Sequence, residues 1–380
     1  MENNMNAALK KIRPVLESKA FWAPALALCV LYAFCTGFYM PSIWTTNYYS
    51  ISFFDGFFRR ALIGTLLYPF GSLRLNYHFI AIVQLLAGAG ALAYAFGKAF
   101  APGHNRLPVW LLLCMLFLSR WGAFFFAMQG HPEYLMYLVA LLSLAVKHSA
   151  LRLVLLTSTV WMHEMAVLTC VPLWFALEYL HFKRQKTAWI GLAACAASLG
   201  IIALFLWNPK TGAEYIQTLV ATNYTPAYDY LFAITGEAPS ARLHWVPWYW
   251  HSQSPFPVSE PYLLLLLALT CTLCIGLERP TRLFARTIML AAALSPLLMG
   301  WLGWDVGRWV FLALVNMFVL LAIFLGALRR RALLICMAIA AIFLFSKSAQ
   351  LPDHKYYRTP GEIVEFAAYL GLRMTSVPIR

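Results

Sequence analysis

Long apolar runs separated by short polar connections dominate the chain. Runs at roughly 21–40, 77–97, 108–125, 133–147, 151–163, 165–181, 188–207, 261–277, 287–303, 309–328 and 332–346 predict about eleven membrane-spanning helices. The first run follows a basic segment carrying Lys10, Lys11, Arg13 and Lys19 and is longer than a signal-peptide core. It reads as an uncleaved anchor with the N-terminus in the cytoplasm. Residues 151–181 admit two readings, one bent passage or a hairpin with His163-Glu164 at its tip. The hairpin places Lys10, Lys11, Arg13, Lys19, Lys98, Arg106, Lys147, Arg152, Lys183, Arg184, Lys186, Arg279, Arg282, Arg286 and the triplet at 329–331 on the cytoplasmic side. Only four acids (Glu2, Glu17, Glu178 and Glu278) accompany them. That asymmetry obeys the positive-inside rule, whereas a single passage would invert every later segment and spoil it.

The expected fold is therefore an all-α integral membrane protein, one polytopic domain over 1–380 with the N-terminus cytoplasmic and the C-terminus outside. A basic segment at 1–20 lies inside, and a large loop at 208–260 and a tail at 347–380 lie outside. In the tail, Thr359-Pro360 with Glu362 reads as a helix start. The stripe of Ile363, Val364, Phe366, Ala367 and Leu370 then predicts a short amphipathic helix on the outer membrane surface. Gly88, Gly90 and Gly97 mark expected sites of close helix packing in the second span. There is no internal repeat and no low-complexity linker.

Composition sharpens this picture. The 380 residues are 62% hydrophobic and 12% charged, with a mean hydropathy of +0.68, too apolar for a soluble domain of this size. The formal net charge of +14 is a topology signal under the hairpin reading, so no nucleic-acid partner is implied. The eight cysteines all fall in apolar runs and read as small hydrophobes. Cys271-Thr-Leu-Cys274 has CxxC spacing inside an apolar helix without His or Cys neighbours, which argues against a metal or redox centre.

Eleven of the fifteen carboxylates collect on the outer side, and with them the candidate chemistry. Asp55, Arg59 and Arg60 follow the first span, set among four phenylalanines. Arg120 lies in the third span, with Gln129-Gly-His131-Pro-Glu133 after it. His163-Glu164 forms the hairpin tip, and Gly303-Trp-Asp305-Val-Gly-Arg308-Trp309 precedes the tenth span. Charges at membrane depth are costly, and acids recur beside Arg or His at four span ends. Each set has a plainer reading: Asp55 with Arg59, or Asp305 with Arg308, as helix-end ion pairs, and His131 or His163 as polar bridges between helices. His163-Glu164 opens like HExxH, but position 167 is Val, which disfavours a metalloprotease. No cofactor is required; a divalent cation held by His131, His163 and a distant acid stays open. In the outer loop, Trp245, Trp248 and Trp250 between His244 and His251 offer flat surfaces for sugar rings, or an interfacial aromatic belt.

Taken together, arginines suited to phosphate, a carboxylate suited to general-base work and exposed tryptophans fit transfer of sugar from a lipid-linked donor. The chain resembles multi-pass glycosyltransferases that use polyprenyl-linked sugars, the GT-C class and the O-antigen polymerase and ligase type. The resemblance rests on overall topology and on Asp55 in Phe-Phe-Asp-Gly-Phe-Phe-Arg-Arg, directly after the first span. It implies Asp55 as catalytic acid or base, with His163, Glu164 and Asp305 as further catalytic candidates. In the polymerase and ligase type it implies Arg59, Arg60, Arg120, His163 and Arg308 as candidates to bind the donor's diphosphate; His131, Glu133, Trp248 and Trp250 are the further substrate-binding candidates among these clusters. The GT-C class often carries a paired acidic motif where Asp55 stands alone, so Glu133, Glu164 or Asp305 could be the base instead. Implied partners are a polyprenyl-phosphate or polyprenyl-diphosphate sugar, an acceptor glycan and membrane lipid. The implied place is the inner (plasma) membrane, with chemistry on the outer side. Two other classes fit the same residues: a transporter or flippase of lipid-linked oligosaccharide, and a membrane acyltransferase with a histidine base.

Overall fold

The computed structural model describes residues 19–39, 41, 48–49, 52–54, 60–99, 107–128, 130–206, 261–277, 283–301 and 306–345. The described residues are almost entirely helical (88%) and include no strand. The 208–260 loop, the tail and its amphipathic helix lie outside the described residues, as does nearly all of the N-terminal basic segment.

The helices follow the apolar runs closely. They are α1 (Lys19–Gly37), the short α2 (Leu62–Leu66), α3 (Tyr77–Ala99), α4 (Leu107–Leu118), α5 (Arg120–Ala127), α6 (Glu133–Ala145) and α7 (Ser149–Met162). After them come α8 (Cys170–Ala176), α9 (Gln185–Ile201), α10 (Pro261–Gly276), α11 (Leu283–Leu294), α12 (Val306–Phe324) and α13 (Arg330–Phe345). Each of the eleven predicted runs thus holds helix, but only three described helices are long and apolar enough to cross a membrane alone: His78–Gly97, Gln185–Leu204 and Gly307–Phe324. Large apolar side chains such as Leu31, Leu86, Val154, Leu204, Ile275 and Leu334 stand exposed on the bundle's flanks. Such flanks suit lipid better than water.

The run predicted as one span at 108–125 is broken, because α4 and α5 meet at 69°. Ser119 causes the break. Its hydroxyl donates to Leu116 O at 2.6 Å and accepts from Trp121 N at 3.2 Å, closing one helix and starting the next. Only glycine fits at 122, where a Cβ would stand 2.6 Å from Leu116 O. Gly88 and Gly90 do pack closely, against Phe125 and Leu138, but Gly97 has open space beside it and is no packing site.

Residues 151–181 double back. His163 is extended (φ −163°, ψ 129°), a 3-10 turn covers Glu164–Val167, and α8 runs on through a π-turn at Leu177–His181. Arg152 at the start of α7 then meets Glu178 near the end of the return, with Nη1 2.9 Å from Oε1. Arg184 donates to Leu144 O, Tyr179 packs on Phe284, His181 on Phe324, and Arg329 N donates to Gly276 O. These contacts gather the ends of α6, α8, α10 and α12 with the starts of α7, α9, α11 and α13, so direction alternates from α6 onward.

The core centres on α12, which packs on α3, α8, α10 and α11. It is apolar nearly all round, as a helix buried on every side must be. Its one mid-helix amide, Asn316, is fully buried and fully partnered. It donates to Thr169 O at 3.0 Å and Ala292 O at 2.7 Å, and accepts from Tyr137 Oη at 2.7 Å.

Candidate functional site

At the end of the bundle opposite Arg152 and Glu178, side chains from five separate segments converge. Helix starts and loops bring them there. Glu133 is the first residue of α6, Arg308 lies in the first turn of α12, and His163-Glu164 caps the hairpin. His131 sits in the turn between α5 and α6, where Gly130 adopts φ 94° and His131 N donates back to Met128 O. Arg60 precedes α2 with φ 66°, a left-handed conformation costly for a residue with a Cβ. That cost falls at the position that swings its guanidinium inward.

Two buried ion pairs form the centre. Arg60 Nε donates to both oxygens of Glu164, at 3.0 and 2.9 Å, and its Nη2 also meets Oε1. Arg308 Nη2 meets Glu133 Oε1, with both residues largely shut from solvent. The pairs lie side by side, since Met165 next to Glu164 sets its sulfur 4.0 Å from Arg308 Nη2. Tyr48 faces both Arg60, 5.8 Å from its ring centre, and His163, whose ring centre is 5.6 Å away. The guanidinium of Arg308 stacks over Trp309 at 5.0 Å.

The histidines differ. His163 Nδ1 accepts the Met165 N–H at 3.2 Å, so it presents a lone pair there. The same nitrogen lies 3.5 Å from Glu164 Oε2. His131 is partly buried as a residue, and its Nδ1 is shut off from solvent. Burial first, and then the neighbouring Arg308 and His163, hold this imidazole well below its usual range, so it is neutral at pH 7.

The two pairs also differ in completeness. Among the described residues, Glu133 Oε2, Arg308 Nε and His131 Nδ1 are buried polar atoms without a hydrogen-bond partner. Buried groups left so are uncommon and mark either strain or a place for water or ligand.

Six candidates from the sequence thus meet: Arg60, His131, Glu133, His163, Glu164 and Arg308. Arg120 stands apart, exposed at the first position of α5, whose C-terminal end leads toward His131. Asp55, Arg59, Trp248, Trp250 and Asp305 lie outside the described residues. Tyr48 and Met165 were missed; an apolar or aromatic side chain in a membrane sequence carries no signal that it borders charge. Among the described residues no three His, Cys, Asp or Glu side chains are grouped to hold a metal ion. The eight cysteines are all free thiols.

The chain matches no known family model, no curated protein and no solved structure.

Proposed function

We propose that this protein is a polytopic membrane glycosyltransferase or glycan polymerase that moves sugar from a polyprenyl-phosphate or polyprenyl-diphosphate donor to an acceptor glycan. In this reading the chain crosses the inner membrane about eleven times, the end bearing Arg152 and Arg184 faces the cytoplasm, and the two-arginine site faces outward. The observation that carries it is the meeting of Arg60 and Arg308, each on a glutamate, with two histidines at the end of the bundle opposite Arg152 and Glu178. Paired arginines suit the charge developing on a departing phosphate. Carboxylates beside them, and the neutral His131 imidazole, can take a hydroxyl proton. Asp55, expected as a catalytic carboxylate, lies outside the described residues and is tested by substitution.

A flippase would carry its charges along a path near mid-membrane, between repeated halves. Here the mid-bundle polar group, Asn316, is fully satisfied, which favours transfer at one face. A histidine-based acyltransferase would use His163 or His131.

The test is a glycan profile of cells carrying Arg60→Ala, His163→Ala or Asp55→Asn beside wild type, with membrane abundance measured. Loss of the extended glycan with build-up of its lipid-linked precursor, at normal abundance, is the expected result. Unchanged glycan in all three variants would overturn the proposal, and altered acylation instead would move it to the acyltransferase.

A further inference from the structure

We propose that Glu133, Arg308 and His131 form the seat of the attacking hydroxyl, with Glu133 as the group that takes its proton; this rests on the glycosyl-transfer reading above. The argument starts from the three unpartnered atoms. Arg308 Nε carries a hydrogen and seeks an acceptor, whereas Glu133 Oε2 is an acceptor that seeks a hydrogen. They belong to two side chains already joined through Nη2 and Oε1, so the open donor and the open acceptor are parts of one ion pair. A hydroxyl group satisfies them together: its oxygen accepts from Arg308 Nε and its hydrogen points to Glu133 Oε2. An anion there would suit the arginine but meet the carboxylate. A cation would suit the carboxylate but meet the arginine. The complementary ligand is a neutral donor and acceptor in one atom.

His131 completes the seat. It stands next to Arg308, neutral, as a partly buried residue whose Nδ1 is shut off from solvent. The second pair does not compete for this role, because Glu164 already receives Arg60 on both oxygens.

In the reaction, a lone pair of the acceptor oxygen forms a bond to the anomeric carbon. The bond from that carbon to the donor phosphate oxygen breaks, and its electron pair leaves on the phosphate, which stays on the lipid. The acceptor proton passes to Glu133 Oε2. The attacking oxygen becomes strongly acidic only as the new bond forms, so a carboxylate held by an arginine is base enough. Arg60 is then left to face the phosphate, and the work divides between the two arginines.

The experiment uses the purified full-length protein in lipid–detergent micelles. The donor is the polyprenyl-linked saccharide extracted from cells with the gene deleted, and the acceptor is glycan from the same cells. Glu133→Gln should lower kcat by about 100-fold or more, the scale of a general base. The acceptor KM and donor binding should shift by no more than about threefold, because the seat keeps its shape. Added formate should restore a measurable part of the rate to Glu133→Gly, which a structural role would not allow. Glu133→Asp keeps the charge opposite Arg308 and serves if the glutamine variant misfolds; it should be slowed in kcat with KM held. Transfer by wild type together with near-normal kcat in Glu133→Gln, or losses confined to KM without formate rescue, overturns this role alone. No transfer by wild type overturns the glycosyl-transfer reading itself, and this inference with it.

Discussion

The ion pair at the basic end offers the sharpest test of the fold. Arg152 and Glu178 are 4% and 0% exposed in their side chains and 2.9 Å apart. Replacing Glu178 with Met leaves the Arg152 charge buried, and breaking a buried pair in this way typically costs about 3–5 kcal/mol. The structure places the cost near the lower bound. Arg152 keeps the carbonyl oxygen of Val146, at 2.5 Å from Nη2 and 3.2 Å from Nε, and that of Lys147 at 3.3 Å. Arg152→Met is cushioned differently, since Arg184 Nη1 still stands 3.5 Å from Glu178 Oε2 but is about one-third exposed. Each single change should therefore lose about 3 kcal/mol. The double Met variant removes both charges and forfeits the bonds to two carbonyls, about 1 kcal/mol per carbonyl, together with the partly exposed contact to Arg184, which is worth little. It should lie within about 2 kcal/mol of wild type, above both singles, despite carrying two changes. Unfolding by sodium dodecyl sulfate in mixed micelles, followed by tryptophan fluorescence, gives the four stabilities of the cycle. Additive losses, or a neutral Glu178→Met, would refute the account of this end as a charge clamp.

Two further outcomes follow from packing around α8 and α12. Asn316→Leu removes three hydrogen bonds and leaves Tyr137 Oη, Thr169 O and Ala292 O to find other partners. At about 0.6 kcal/mol for an average bond between membrane helices it should cost about 2 kcal/mol, and Tyr137→Phe about a third of that, in the same unfolding assay. Gly191→Ala puts a Cβ 2.6 Å from the Trp174 ring and 3.0 Å from Leu156. It should destabilise by about 1–3 kcal/mol, and paired with Trp174→Phe it should cost less than the two changes separately.

Much of this architecture was legible in the sequence because apolar runs and polar breaks are set by the same physics as helices and their ends. The expected start of the second span at 77 coincides with α3, where Asn76 Oδ1 accepts from His78 N and Phe79 N. The hairpin was legible only through charge. Lys147, Arg152, Lys183 and Arg184 fall at one end of the bundle if and only if the chain turns at His163. What charge counting could not show is that Arg152 and Glu178 leave solvent and bind each other. As members of a basic connection they look like solvated topology markers, and nothing local separates them from Lys183. The break at Ser119 was hidden for the opposite reason: a serine in an apolar run is ordinarily tolerated inside a helix by bonding to its own preceding carbonyls. The candidate site was legible as residue types at span ends, but not as pairs. Arg60 meets Glu164 across 104 positions and Arg308 meets Glu133 across 175. The sequence neighbours expected to pair, Asp55 with Arg59 and Asp305 with Arg308, lie at least partly outside the described residues.

Both ends of the bundle use the same device, an arginine on a glutamate withdrawn from solvent, and the difference between them separates scaffold from site. At the basic end the arginine is saturated: Arg152 spends its donors on Glu178, Val146 O and Lys147 O, and Glu178 takes a second cation in Arg184. A ligand arriving there would have to replace bonds already made, and would gain nothing by it. At the other end Arg308 and Glu133 touch through one atom each and leave Nε and Oε2 unmatched. A buried polar atom without a partner costs about 1–3 kcal/mol. A group that accepts from Nε and donates to Oε2 would relieve that cost. Left-handed backbone does not separate the two ends, since Lys183 (φ 57°) stands at the basic end as Arg60 (φ 66°) does at the other. The unmatched ion pair does: in the glycosyl-transfer proposal, a polar substrate at Arg308 and Glu133 is what would satisfy its two open atoms.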